Sequence, residues 1–176
     1  YGDYLRCGSM ASKSKIMKSI INFAQGGGKV IGICNGFQIL VESGLLPGAL
    51  LRNKYLEFIC KNVFVKINNK DNSYFKGAKK DIFEFHIAHN EGNYFCSEDQ
   101  IKRINDNNQI ALLYTDKNGN INDDCNPNGS LQNIAGIFNT QKNVLGMMPH
   151  PERMIDPALS GEDGSIFFEN LINNLR

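Results

Sequence analysis

Residues 30–36, Val-Ile-Gly-Ile-Cys-Asn-Gly, constrain the fold of this chain more than any other stretch. A short apolar run bounded by glycine suits a buried parallel strand. Cys34 follows at once, and Phe37 to Ser43 has helical spacing until Gly44 stops it. Strand, sharp turn and helix around Gly-x-Cys-x-Gly is the form of a nucleophile elbow. The glycines have a physical task there, because a residue on so tight a turn is strained and its packed neighbours must lack side chains. The helix N-terminus favours a thiolate at Cys34, and the N–H of Asn35 is placed to bind an oxyanion. A buried structural cysteine in a strand–turn–helix crossover would show the same pattern. The elbow alone leaves the two readings level.

His150-Pro151-Glu152 tips the balance. It follows an apolar segment, 144–148, that reads as a strand, and active sites of open α/β sheets gather where strands end. A histidine there can take the thiol proton, and a carboxylate two residues on can orient its ring. Alone, His150 reads equally as a surface-loop histidine and Glu152 as a solvated carboxylate. Jointly with the elbow they point to a Cys34–His150–Glu152 triad.

The remaining pattern gives the architecture. Residues 12–25 predict a helix, with Ile16, Met17, Ile20, Ile21 and Ala24 at helical spacing, Ser12 or Ser14 as cap and Gly26-Gly27-Gly28 as stop. Residues 62–67, 82–88 and 110–114 read as strands. Ser97-Glu98-Asp99-Gln100 is a capping box, Asn118-Gly119 a turn, and Asn126–Gly129 a loop. Residues 134–138 and 144–148 form a hairpin pair. A closing helix presents Phe168, Leu171, Ile172 and Leu175 on one face. Helix, strand and helix, then strands, then a helix predict an α/β sheet with an antiparallel extension, in one domain over 1–176.

Composition excludes several classes. A net charge of +1 gives no electrostatic case for nucleic acid, and no apolar run approaches a membrane span. The five cysteines are odd in number and show no CxxC spacing, which argues against a disulfide framework or a zinc site and for a reducing, cytoplasmic setting. His86 and His89, three apart on a strand, face opposite ways and do not share a metal; they read as packing or hydrogen-bonding residues. Gly26-Gly27-Gly28-Lys29 lacks the Ser/Thr of a phosphate loop. Asn128-Gly129-Ser130 matches a glycosylation sequon by chance.

Gly32 to Gln38 with Pro149 to Arg153 resembles the class I (triad) glutamine amidotransferases. "GICNGFQIL", "GLLPGALLRN", "NPNGS…IAGI" and "MMPHPER", in that order, are similar to the glutaminase subunits of phosphoribosylformylglycinamidine synthase, small type. "YGDYLRCG" resembles the family's loop after its second strand, so the resemblance covers the whole chain. It implies a flavodoxin-like, open and mostly parallel sheet flanked by helices. It implies that Cys34 forms a glutamyl thioester, that His150 shuttles the proton and that Glu152 holds His150. Gln38 helps to hold the glutamine, with Asn35 and Gly36 beside it. No cofactor or metal is implied for this chain; ATP and Mg belong to a partner synthetase subunit (PurL type), joined by a small bridging subunit (PurS type). The released ammonia amidates formylglycinamide ribonucleotide there, in purine biosynthesis.

The family pattern opens with a strand, a helix, a second strand and a Gly-Gly turn, one of whose glycines supplies a second oxyanion N–H. The sequence therefore reads as a type 1 domain truncated at its N-terminus by on the order of 40 residues. Loss of one oxyanion donor costs ~10²–10³ in rate, so weakened glutaminase activity is expected. Three alternatives stand beside this reading: a class I amidotransferase of another pathway, a degenerate non-catalytic docking module, and an unrelated elbow cysteine hydrolase.

Overall fold

A computed structural model describes residues 7–174. Helix α1 (Cys7–Ser12) and helix α2 (Lys15–Gln25) lead into strand β1 (Val30–Ile33) and helix α3 (Asn35–Glu42). Strands β2 (Ala49–Leu51), β3 (Ile59–Ile67), β4 (Ile82–His89) and β5 (Asn93–Phe95) follow, then helix α4 (Glu98–Asp106) and strand β6 (Ile110–Thr115). Strands β7 (Ile134–Phe138) and β8 (Val144–Met147) precede a 3₁₀ turn at Pro151–Arg153 and helix α5 (Asp163–Asn173).

Six strands form one sheet in the order β1-β8-β7-β6-β3-β4, and β2 pairs with β5 in a second, two-stranded sheet. In the large sheet β1 runs parallel to β8, with Ile33 opposite Met147. The other four pairings are antiparallel. The α/β sheet with an antiparallel extension is therefore present, but "mostly parallel" fails for the described residues, where the extension outweighs the parallel part. The reason is topological. The β7–β8 connection, residues 139–143, is too short for the crossover that a parallel pair needs, so the chain turns straight back on itself.

Burial follows from this order. β6, β7 and β8 are buried at every residue, as strands covered on both faces must be. On one face Phe37 and Leu40 of α3, Ala24 of α2 and Ile104 of α4 pack over Ile137 and Val144. On the other, Phe167 and Leu171 of α5 join Phe75, Phe83, Phe85 and Phe138. β4 alternates strictly, with Phe83, Phe85, Ile87 and His89 inward. The sheet also curls, so that the N–H of His150, just beyond β8, donates to the His86 carbonyl on the far-edge strand β4 (2.8 Å).

Several expectations need correction in detail. The helix expected over 12–25 begins at Lys15 with Ser14 at its N-cap, residue 12 belongs instead to α1, and Ile16 on the expected apolar face is exposed. The buried face of α5 is Gly164, Phe167 and Leu171; Ile172 is exposed, and Leu175 lies outside the described residues. Phe167 takes the central place because it meets the rings of Phe75, Phe83, Phe85 and Phe168. The sequence carries no signal for β2 and β5, because three residues each are too few for an alternation to register.

Candidate active site

The site lies where β1 and β8 end. They are adjacent and parallel, so Cys34, one residue past β1, and His150, three past β8, emerge at the same edge. The Cys34 N–H donates to the Met147 carbonyl (2.8 Å) and so carries the pairing one step beyond the strand.

Cys34 has φ 51° and ψ −105°. A side-chain-bearing residue there is strained by about 1–3 kcal/mol, and surrounding packing must hold it. Gly32 is part of that packing: a Cβ on it would lie 2.6 Å from the carbonyl carbon of Gly36, so the first turn of α3 rests directly on the strand. The expectation that both elbow glycines are packed close holds only for Gly32. Apart from its chain neighbours and the backbone of its own helix, no described atom lies within 4 Å of a Cβ built on Gly36. The Asn35 N–H opens α3, where first-turn amides have no intrahelical acceptor.

His150 is buried, and its Nδ1 lies 2.6 Å from Oε1 of Glu152. A carboxylate only accepts, so the proton sits on Nδ1 and the neutral ring presents Nε2 as a base. That Nε2 is buried and has no hydrogen-bond partner. Burial alone would raise the Glu152 carboxyl, but the hydrogen bond from His150, with the charges of His150 and Arg153, holds it below its ordinary value. The turn itself is wedged from behind: a Cβ on Gly164 of α5 would lie 1.8 Å from the Pro151 carbonyl oxygen.

Gln38 is buried. Its Nε2 donates to the Glu91 carbonyl (3.0 Å), and its Oε1 accepts from Asn35 Nδ2 (2.9 Å). It thus ties the start of α3 to the turn after β4. That turn is a buried polar assembly which sequence reasoning missed. His89 Nδ1 meets Asn53 Oδ1 (3.0 Å), which also accepts from the Gly92 N–H (3.1 Å), while Asn53 Nδ2 donates to the His89 carbonyl (2.8 Å). Asn128 Nδ2 and Ser130 Oγ both donate to the Gly92 carbonyl (2.8 and 3.2 Å). The buried Asn128 is no glycan acceptor in the folded chain. The curl of the sheet brings this assembly to Cys34, whose Sγ lies 4.0 Å from the Ala88 carbonyl oxygen. The signals that could have found it are the asparagines closing "GLLPGALLRN" and inside "NPNGS".

Cys34, Cys60, Cys96 and Cys125 are in no disulfide. Among the described residues no helix is long and apolar enough to cross a membrane.

Comparison with known proteins agrees with this geometry. Residues 1–161 match the model of the CobB/CobQ-like glutamine amidotransferase domain. A protein of Pelagibacter ubique (strain HTCC1062) named phosphoribosylformylglycinamidine synthase subunit PurQ is 87% identical over 176 residues, all of this chain and 78% of that protein. A protein of the same name from Synechocystis is 52% identical over 96% of this chain and 75% of its own length. The structure of PurLQS from Thermotoga maritima contains a chain that superposes with a TM-score of 0.83 at 39% identity, covering 100% of this chain and 76% of that one. The chain belongs to the CobB/CobQ-like glutamine amidotransferase family, among its phosphoribosylformylglycinamidine synthase PurQ subunits.

Proposed function

We propose that this chain hydrolyses glutamine at Cys34 and passes the ammonia to a PurL-type synthetase, with a PurS-type subunit bridging the two. The synthetase consumes ATP, with Mg, to convert formylglycinamide ribonucleotide to formylglycinamidine ribonucleotide; this chain itself needs no cofactor. The cytosol is its setting, where free thiols persist.

His150 Nε2 takes the thiol proton, and Sγ attacks the carboxamide carbon. The Asn35 N–H faces the oxyanion. His150 returns the proton to the nitrogen, the C–N bond breaks, and ammonia leaves a glutamyl thioester on Cys34. His150 then deprotonates water, which attacks the thioester; the C–S bond breaks, glutamate leaves, and the proton on His150 returns to the Cys34 sulfur. Glu152 keeps the tautomer right throughout. Gln38, with Asn35 and Gly36, shapes the pocket that receives the substrate.

The observation that carries this reading is the His150–Glu152 contact at the strand end next to a strained cysteine. Glutamate release by the full-length protein with its synthetase partners is the test. Cys34→Ala should abolish it, by a factor on the order of 10⁴ or more, while ammonia-dependent amidation continues. Glutamate release that persists in Cys34→Ala would show a docking module or another nucleophile.

A further inference from the structure

We infer that His89 is a second histidine of the reaction, whose Nε2 accepts a hydrogen bond from the carboxamide N–H of bound glutamine and then from the departing ammonia. This rests on glutamine hydrolysis at Cys34.

Three observations converge on it. First, Nδ1 of His89 is engaged by Asn53 Oδ1, while the Asn53 amide nitrogen donates to the Glu57 and His89 carbonyls. The Asn53 oxygen is therefore an acceptor, Nδ1 carries the proton, and Nε2 is left as a bare acceptor. Second, that Nε2 is buried and without a hydrogen-bond partner, in a residue only 1% exposed. An orphaned buried acceptor calls for a donor. Third, the end of β4 that carries the ring meets the reacting centre. Cys34 Sγ lies against the carbonyl of Ala88, the preceding residue, and His89 is close enough to His150 for their charges to repel. The backbone makes room for the ring: a Cβ on Gly92 would lie 2.2 Å from His89 Cε1.

The chemistry needs such a group. In the step that breaks the C–N bond, His150 gives its proton to nitrogen and accepts nothing from it. The N–H bonds of the leaving group then require another acceptor. His89 takes no proton, because burial and the nearby His150 lower its pKa to about 4.

The test separates N–H recognition from structural support. His89→Asn keeps an amide donor toward Asn53 but places nothing at Nε2, and His89→Gln restores a polar atom there. Each variant of the full-length protein, with its partners, is assayed for glutamine turnover and for alkylation of Cys34 by the chloromethyl ketone analogue of glutamine, which has no carboxamide N–H. His89→Asn should lower kcat on glutamine about tenfold or more, the worth of one hydrogen bond, with alkylation nearly unchanged and partial rescue in His89→Gln. Parallel loss of both rates would mean structural support only, and unchanged turnover would mean that Nε2 serves a bound water; either overturns the inference. Absence of alkylation in the unaltered protein would instead defeat the Cys34 reading. If His89→Asn does not fold, ¹⁵N NMR of Cys34→Ala decides. The Nε2 resonance of His89 should move on adding glutamine and stay with glutamate γ-methyl ester; equal response to both overturns the proposal.

Discussion

The His150 ring and the Glu152 carboxylate meet at 2.6 Å across a single proline, although 4% of one side chain and 46% of the other is exposed. In the proposed mechanism the buried partner transfers the proton and the wet partner orients it. Glu152→Gln keeps the shape and can still accept through its oxygen, but it loses the charge that steadies an imidazolium. The expected result is a kcat lower by about 10²–10⁴ with KM changed little, read from initial rates of glutamate release. The sign of the pH effect follows from the lowered Glu152 carboxyl. The pairing is complete above the ordinary carboxylate range and is lost as pH falls through the lowered value. The Gln variant should lack that component of the acid limb.

His89 makes a separate prediction for stability. Its pKa falls from 6.5 to about 4 on folding, chiefly through burial. Between those values the unfolded chain binds a proton that the folded chain refuses. Stability is therefore lost as pH drops from about 6.5 toward 4, by at most ~1.4 kcal/mol per pH unit from this group. Urea unfolding at pH 7 and pH 5 measures it, and His89→Asn should show the smaller drop between them. An equal drop in both proteins would assign the acid sensitivity elsewhere.

The grouping of Cys34 with His150 and Glu152 at one sheet edge was legible because each sits in a short motif whose geometry is local. Gly32 to Gly36 carries its own strand, turn and helix, and His150 to Glu152 needs one intervening residue. The polar assembly behind them was not legible. Asn53 reaches His89 across 36 residues, and Asn128 reaches Gly92 across another 36. Nothing in the local spacing of either pair announces the other. The curl of the sheet, which delivers β4 to Cys34, is likewise a property of six strands together. His86 and His89 illustrate the gap: alternation correctly put them on opposite faces, but said nothing of what either face would meet.

Gly164 supports the triad from outside it. The Cβ of Gly164→Ala would fall on the Pro151 carbonyl oxygen, a backbone atom that moves only with the turn. Either α5 shifts off Pro151 or the turn carries Glu152 away from His150. Stability should fall by about 1–3 kcal/mol, as for other overpacked sites, and kcat should fall further than that loss explains under conditions where the variant is folded. Gly26→Ala is the control, since a Cβ there meets nothing closer than 3.4 Å. Thermal unfolding and glutaminase rates on both variants would decide it.

The last prediction concerns the core that α5 covers. Phe167 lies 5.4 to 5.8 Å, centroid to centroid, from Phe75, Phe83, Phe85 and Phe168, with edge contacts to three of the four. It is 1% exposed. Phe167→Ala would empty a site walled by rings on β4, on the segment before it and on α5 itself, none of which can collapse inward without moving the sheet. A loss of about 3–5 kcal/mol is expected, enough to approach the whole stability of a domain of this size. Phe167→Leu should recover most of it, because an aliphatic side chain refills much of the volume. Because α5 also holds the Pro151 turn, glutamine turnover should track the folded fraction in both variants; activity surviving in an unfolded Phe167→Ala sample would contradict the placement of α5 behind the site.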